Sequence, residues 1–240
     1  ERLFREIRLG LKLEHEHIIP LWGVTDGFGS VPGFVSPWFE NDTLTRYLDR
    51  IHEMLSYSEK FALLRDVARG LQYLHSQSIV HGDLAGHTVL VDRNGKASLT
   101  NFGLSDVLLE ITLWIVDPMN FMIMNDALLL TNPASAAPYM APESLTIDFE
   151  DNSSPVLTTA SDVYSFGGIM LQVLEGMVPY HDLPSYEIVI SFISQGIHPR
   201  RQPTSVISDI EWEFIQRCWL KDMDRRPLDS EILPFVEGRA

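Results

Sequence analysis

The sequence has a single cysteine, Cys218, among 240 residues. An internal disulfide is excluded, which suits a reducing compartment. Basic residues are scarce: 18 Lys and Arg stand against 33 Asp and Glu, for a net charge of −15. Such a surface repels phosphate backbones and anionic headgroups, so neither nucleic acid nor a membrane surface is expected as a partner. No apolar run is clean enough to span a bilayer. The greasiest stretch, residues 107–131, is broken by Glu110, Asp117, Pro118 and Asp126. Internal repeats are lacking. There is no initiator methionine and no signal peptide. Glu1 opens a charged, helix-like stretch, from which we expect a chain truncated at its N-terminus.

Hydrophobic residues make up 45% of the chain, enough for a real core in one large domain or in two lobes sharing a cleft. Leu3, Phe4, Ile7, Leu11 and Leu13 predict a helix over 2–13. Residues 18–40 favour two short antiparallel strands, cut by glycine and proline. Asp42 or Thr43 should cap a helix over 43–52. Ser56 and Glu59 form a capping-box pattern. Behind it, Phe61, Leu64, Val67, Ala68, Leu71 and Leu74 share one helical face, ending near His75. Asn94-Gly95 lies between two alternating runs, 88–92 and 96–100, and predicts a hairpin. Residues 161–175 are apolar almost all round and predict a buried central helix. Further helices are expected at 185–194, 209–220 and 229–237, with Asp209 as an N-cap. The order defines an α+β chain with segregated layers.

Several short motifs fall in a fixed order along this frame. His81-Gly82-Asp83-Leu84 follows the long helix, and Asn101-Phe102-Gly103 follows the hairpin. Ala141-Pro142-Glu143 comes later. Ser161 to Gly167 opens the buried helix, and Cys218-Trp219 and Arg226-Pro227 close the series. Each fragment alone is weak, but their order and spacing together are specific. From Leu3 to Val236 the chain resembles the protein kinase family, and within it the tyrosine-kinase-like group.

The resemblance implies a bilobal fold: a partial small lobe over 1–40 (its helix and last two strands) and a mainly helical large lobe over 41–240. A long activation-segment insertion would occupy about 104–138. Asp83 matches the aspartate that accepts the substrate hydroxyl proton. Glu6 matches the glutamate that pairs with the phosphate-binding lysine. His81 and Phe102 match packing positions linking the lobes. Glu143 and Arg226 match a buried ion pair that fixes the substrate-side loop, and Asp162 is a further structural position. Residues 34–40 align with the connector between lobes. There Ser36 would guard the back of the nucleotide pocket, Pro37 would offer its carbonyl, and Phe39 its N–H to adenine, with Trp38 between them. Leu90 would lie under the adenine ring, and is expected to be a core residue in either case.

The departures concern the metal. The family places an aspartate at the position of Asn101 and an asparagine at that of Thr88, both holding magnesium. An amide and a hydroxyl are poor replacements at magnesium's strict geometry, so no metal site is expected. If each loss costs what a missing transition-state donor costs, about 2.7–4 kcal/mol, the pair approaches four to six decades in rate, as an order of magnitude. The glycine-rich loop and its lysine do not occur in the sequence. Gly82 stands where arginine is usual, Ala85 fits only the tyrosine-kinase pattern, and Ala136 replaces a threonine of the serine/threonine pattern.

The expectation is therefore a cytoplasmic kinase-like domain impaired in catalysis, a pseudokinase acting in signalling or scaffolding through protein partners. ATP contact would rest on adenine packing and the connector backbone. The rival expectation is an active ATP-dependent protein kinase using Asp83. A third is a degraded gene product without a stable fold. The greasy segment 107–131 reads either as a docking patch or as non-coding sequence translated from a faulty gene model.

Overall fold

The computed structural model describes residues 11–25, 33–101, 133–145, 157–203 and 205–240. Most of the predicted 2–13 helix, with Glu6, lies outside them, as do Phe102 and residues 107–131. Residues 11–13 are not helical.

Two small antiparallel sheets are present among the described residues. Strand β1 (Gly23–Thr25) pairs with β2 (Gly33–Val35) in the register Gly23 to Val35. Strand β3 (Val89–Val91) pairs with β4 (Ala97–Leu99), Val89 opposite Leu99. The second hairpin turns where the sequence expected. Asp92 Oδ1 accepts from the backbone N–H of Asn94 (2.8 Å) and Lys96 (2.9 Å), and Gly95 takes φ +80°, a conformation open to glycine.

Helix α1 spans Leu44–Ile51 with Thr43 as N-cap, its hydroxyl accepting from the Arg46 N–H. Helix α2 (Tyr57–Ser76) opens on the capping box read from the sequence: Ser56 Oγ accepts from Glu59 N–H and Glu59 from Ser56 N–H. All six apolar residues assigned to its inner face are buried. Apart from the smaller Ala68, each such side chain stabilises the fold by about 1.5–3 kcal/mol relative to exposure, before entropy is counted.

After a short turn of helix, α3 (Pro133–Ala136), the chain enters helix α4 (Thr159–Glu175). Every residue from Ser161 to Leu174 in it is buried. Thr158 and Ser161 cap it reciprocally, and Gly176 ends it at φ +83°. Helices α5 (Tyr186–Ser194), α6 (Asp209–Cys218) and α7 (Asp229–Glu237) complete the set. The expected cap at Asp209 is corrected. The N-cap is Ser208, because Ser208 and Glu211 form a capping box that satisfies two backbone donors at once. Asp209 instead pairs with Arg201 at 2.6 Å, and the helix stops at Cys218 rather than 220.

Helix α4 is the axis of the main core. It packs against α2 and α6, while α2 also packs on α7 and β4. Phe61, Leu64, Leu71, Phe166, Ile169, Met170 and Ile215 fill the shared interior. A smaller cluster of Ala137, Tyr180, Val189 and Ile193 lies under α5. The result is the helix-rich, strand-poor α+β chain that the sequence predicts.

Candidate nucleotide and catalytic-loop site

The loop 81–88 leaves the end of α2 and enters β3. Its backbone is held by one buried carboxylate. Asp162, in the first turns of α4, accepts from the N–H of His81 (2.8 Å) and of Gly82 (2.9 Å). The same Asp162 Oδ2 meets His75 Nε2 at 2.9 Å, and His75 Nδ1 meets Asp229 Oδ2 at 2.8 Å. His75 thus joins the starts of α4 and α7 to the end of α2. Burial alone would lower its pKa, but hydrogen bonds to Asp162 and Asp229, with their charges, outweigh this and raise it to about 9. Gly82 takes φ +77°, where a Cβ would be strained.

His81 is fully buried. Burial holds its pKa below the usual imidazole value, so the ring is neutral. Its Nδ1 accepts from Asp83 N–H at 3.3 Å, which places the ring proton on Nε2. The Asp83 side chain is 11% exposed, and its Oδ2 is buried without a hydrogen-bond partner. His87 Nε2 lies 3.7 Å from that oxygen.

Thr88 has a different role from the one its position suggested. Its side chain is fully buried, and Oγ1 accepts from Ala85 N–H at 3.0 Å. The same oxygen lies 2.8 Å from the carbonyl of Asp83 and 3.1 Å from that of Ala85, to which it donates. The hydroxyl closes the loop on itself: its proton points at backbone carbonyls, one lone pair takes the Ala85 N–H, and the residue is fully buried. Asn101, exposed and at φ +59°, offers an amide oxygen that accepts from Thr100 Oγ1 at 3.4 Å. Thr100 N–H bonds to Thr88 O at 3.0 Å, so the two positions are adjacent in space.

The connector is stitched to the hairpin: Asn41 N–H donates to Val91 O (3.1 Å) and Val91 N–H to Asp42 O (2.9 Å). Leu90 therefore sits beside the connector's end and bridges to Thr43. It is half-buried, unlike Val89 and Val91, which are fully buried on the strand's other face. Leu90 is thus not a core residue. Ser36 is exposed, Pro37 and Phe39 are half-buried, and Trp38 is 86% exposed.

Glu143 and Arg226, read as an ion pair from the sequence, meet in a bidentate contact at 2.5 and 2.9 Å. Arg226 also donates to the carbonyls of Leu220 and Ala160, and its guanidinium lies 5.1 Å from the centre of the Tyr164 ring. A second buried network was not visible in the sequence. Tyr139 donates to Gln172 Oε1 (2.6 Å), and Gln172 Nε2 donates to Thr45 Oγ1 (3.0 Å). Gly86 packs so closely on Thr45 and Gln172 that a Cβ would collide with both. This ties the catalytic-type loop to α1, α4 and the turn before Ala141. The bridging role of His75 and the approach of His87 to Asp83 were also missed. His87 was detectable in principle, since it follows Asp83 by four residues in a tight loop.

A loop gripped by a helix-borne Asp, a neighbouring hairpin and a bidentate Glu–Arg pair is the arrangement of a protein kinase domain. The sequence pattern of the family described as protein tyrosine and serine/threonine kinase matches residues 1–236. The chain belongs to that family. The dual serine/threonine and tyrosine protein kinase of Apis mellifera is 28% identical over 238 residues, covering 94% of this chain and 22% of the relative. Ephrin type-A receptor 8 of Homo sapiens is 30% identical over 231 residues, covering 95% of this chain and 20% of the receptor. Platelet-derived growth factor receptor beta of Canis lupus familiaris is 28% identical over 185 residues, covering 77% of this chain and 15% of the receptor. The chain thus spans about a fifth of the length of these relatives.

Members of the family use ATP with magnesium. The residues here do not fit the metal. Thr88 spends its hydroxyl inside the loop, and Asn101 brings no charge. The half-buried face of Leu90 and the connector backbone remain compatible with an adenine ring.

Proposed function

We propose that this is a kinase domain that has lost phosphoryl transfer and serves as a binding or regulatory module, a pseudokinase, inside the cell. The observation that carries the reading is the Thr88 hydroxyl, buried and engaged within its own loop. Together with Asn101 it leaves magnesium without a carboxylate at the two positions the family uses. On this reading residues 1–40 are a partial small lobe and 41–240 the large lobe, with an activation-segment insertion at about 104–138 whose residues 107–131 form a docking patch for a protein partner. No helix among the described residues is long and apolar enough to cross a membrane.

A second reading is favoured by one observation. Asp83 is still held by the Asp162-anchored loop, with Oδ2 free of any hydrogen bond. A slow ATP-dependent kinase using Asp83 would need that atom. Incubation with radiolabelled ATP, with and without magnesium, separates the two. We expect no incorporation and no magnesium-dependent rise in Tm. Incorporation that requires magnesium and is abolished by Asp83→Asn would overturn the proposal.

A further inference from the structure

His198 lies in the connection between α5 and α6, half-buried among side chains from other parts of the chain. Its ring stacks on Trp219, with centroids 5.5 Å apart and planes 18° apart, and tilts against Tyr164 of α4 at 6.2 Å. Its Nδ1 is 3.5 Å from the Tyr164 hydroxyl. The Tyr164 ring is shared with Arg226, whose guanidinium lies 5.1 Å from the ring centre. Tyr180 closes the set. It donates to the carbonyl of Ile197 at 2.9 Å, next to His198, and hydrogen-bonds Tyr164. Tyr180 is buried at φ +60°, a left-handed backbone that is costly for an aromatic residue, so the junction is held under strain. Just before His198, Gly196 turns the chain at φ +71°, with open space where a Cβ would stand.

We propose that His198 is an acid-sensitive latch holding the α5–α6 connection against α4: a proton on its ring sets a second cation at the Tyr164 ring that already carries Arg226, and expels the imidazole toward solvent. The groups facing His198 are Tyr164 from α4, Arg226 from the turn before α7, and behind them Tyr180 and Glu143. Of the two cations, Arg226 is the fixed one. Its side chain is 1% exposed, and it is bound to Glu143 and to the carbonyls of Leu220 and Ala160. His198 has one long polar contact and a path to solvent, so it is the member that moves. A neutral Nδ1 can accept the Tyr164 proton, whereas a protonated one must donate, and the Tyr164 hydroxyl has to reverse. Burial first, and then the Arg226 charge, hold the His198 pKa below the usual imidazole value. The fold therefore binds this proton less tightly than the unfolded chain does. The latch is fully closed above about pH 6.5 and is lost as pH falls through the lowered value. It stands independently of the pseudokinase reading, because it requires neither nucleotide nor transfer.

The test is histidine-selective NMR of the intact chain from about pH 7.5 to about pH 4.5, with amide hydrogen exchange followed over the same range. The His198 resonance is assigned by its loss in His198→Phe, which keeps a ring for the Trp219 stack and cannot titrate. Melting curves show whether the variant folds. We expect the ring to titrate below about pH 6.5, with protection of the amides at 196–201 falling by about tenfold as it does so, and staying level in His198→Phe. A ring that titrates at or above that pH, or protection that falls equally in the variant, would overturn the inference. Should the variant not fold, the wild type decides alone: protection unchanged through the ring's titration overturns it. The labelled-phosphate assay reports on the other proposal and is unaffected by either result.

Discussion

His75 should make the stability of this domain depend on pH in a window where most imidazoles have already lost their charge. The ring is 5% exposed and lies between Asp162 and Asp229 at 2.9 and 2.8 Å. Its pKa stands at about 9 in the fold, against an ordinary value of 6.5. The folded state thus binds the proton more tightly than the unfolded chain does. The resulting stabilisation is fully present below about pH 6.5 and disappears as pH rises through about 9. The shift of roughly 2.5 pH units corresponds to about 3 kcal/mol, of which about 2 kcal/mol remains at pH 7.5. His75→Gln removes the titrating group and retains a polar chain of similar length. Urea unfolding of both proteins between pH 6 and pH 9.5 isolates the effect as a difference, since other groups titrate in both. The wild type should exceed the variant by about 3 kcal/mol at the acid end, with the pH-dependent part gone at the alkaline end. A difference that stays constant across the series would refute the charged His75 bridge.

Other perturbations follow from the same contacts. Arg226→Met removes one partner of the pair with Glu143, whose side chains are 1% and 17% exposed, and should cost about 3–5 kcal/mol in chemical unfolding. Gly86→Ala drives a Cβ into Thr45 and Gln172, and should destabilise by about 1–3 kcal/mol in the same assay, with Thr45→Ala in the background recovering part of it. Tyr139→Phe leaves the Gln172 amide oxygen without its donor and should cost about 1–3 kcal/mol.

What the sequence made legible was local. The capping box at Ser56 and Glu59, the six-residue inner face of α2, the all-round apolar α4 and the Asn94-Gly95 turn each depend on residues within a turn or two of one another. The motif order also brought Glu143 to Arg226 across 83 positions, but only through resemblance. What escaped was tertiary. His75 reaches partners 87 and 154 residues away, and no periodicity marks it. The Tyr139–Gln172–Thr45 relay spans three elements for the same reason. Position 88 was legible as a substitution, but its consequence was not. That a threonine would turn its hydroxyl back onto Asp83 and Ala85 follows from loop closure, not from spacing. Asp209 misled because a good N-cap residue stood next to a better capping box at Ser208 and Glu211.

The central claim is that the cleft cannot grip the divalent cations that accompany ATP. Electron paramagnetic resonance of Mn²⁺, titrated with the protein in the presence of a non-hydrolysable ATP analogue, tests it directly. The account predicts that the protein removes no more free-ion signal with the analogue than the analogue and the protein remove separately. A nucleotide-dependent loss of signal that saturates with protein, and that Thr88→Val and Asn101→Ala each reduce, would contradict it.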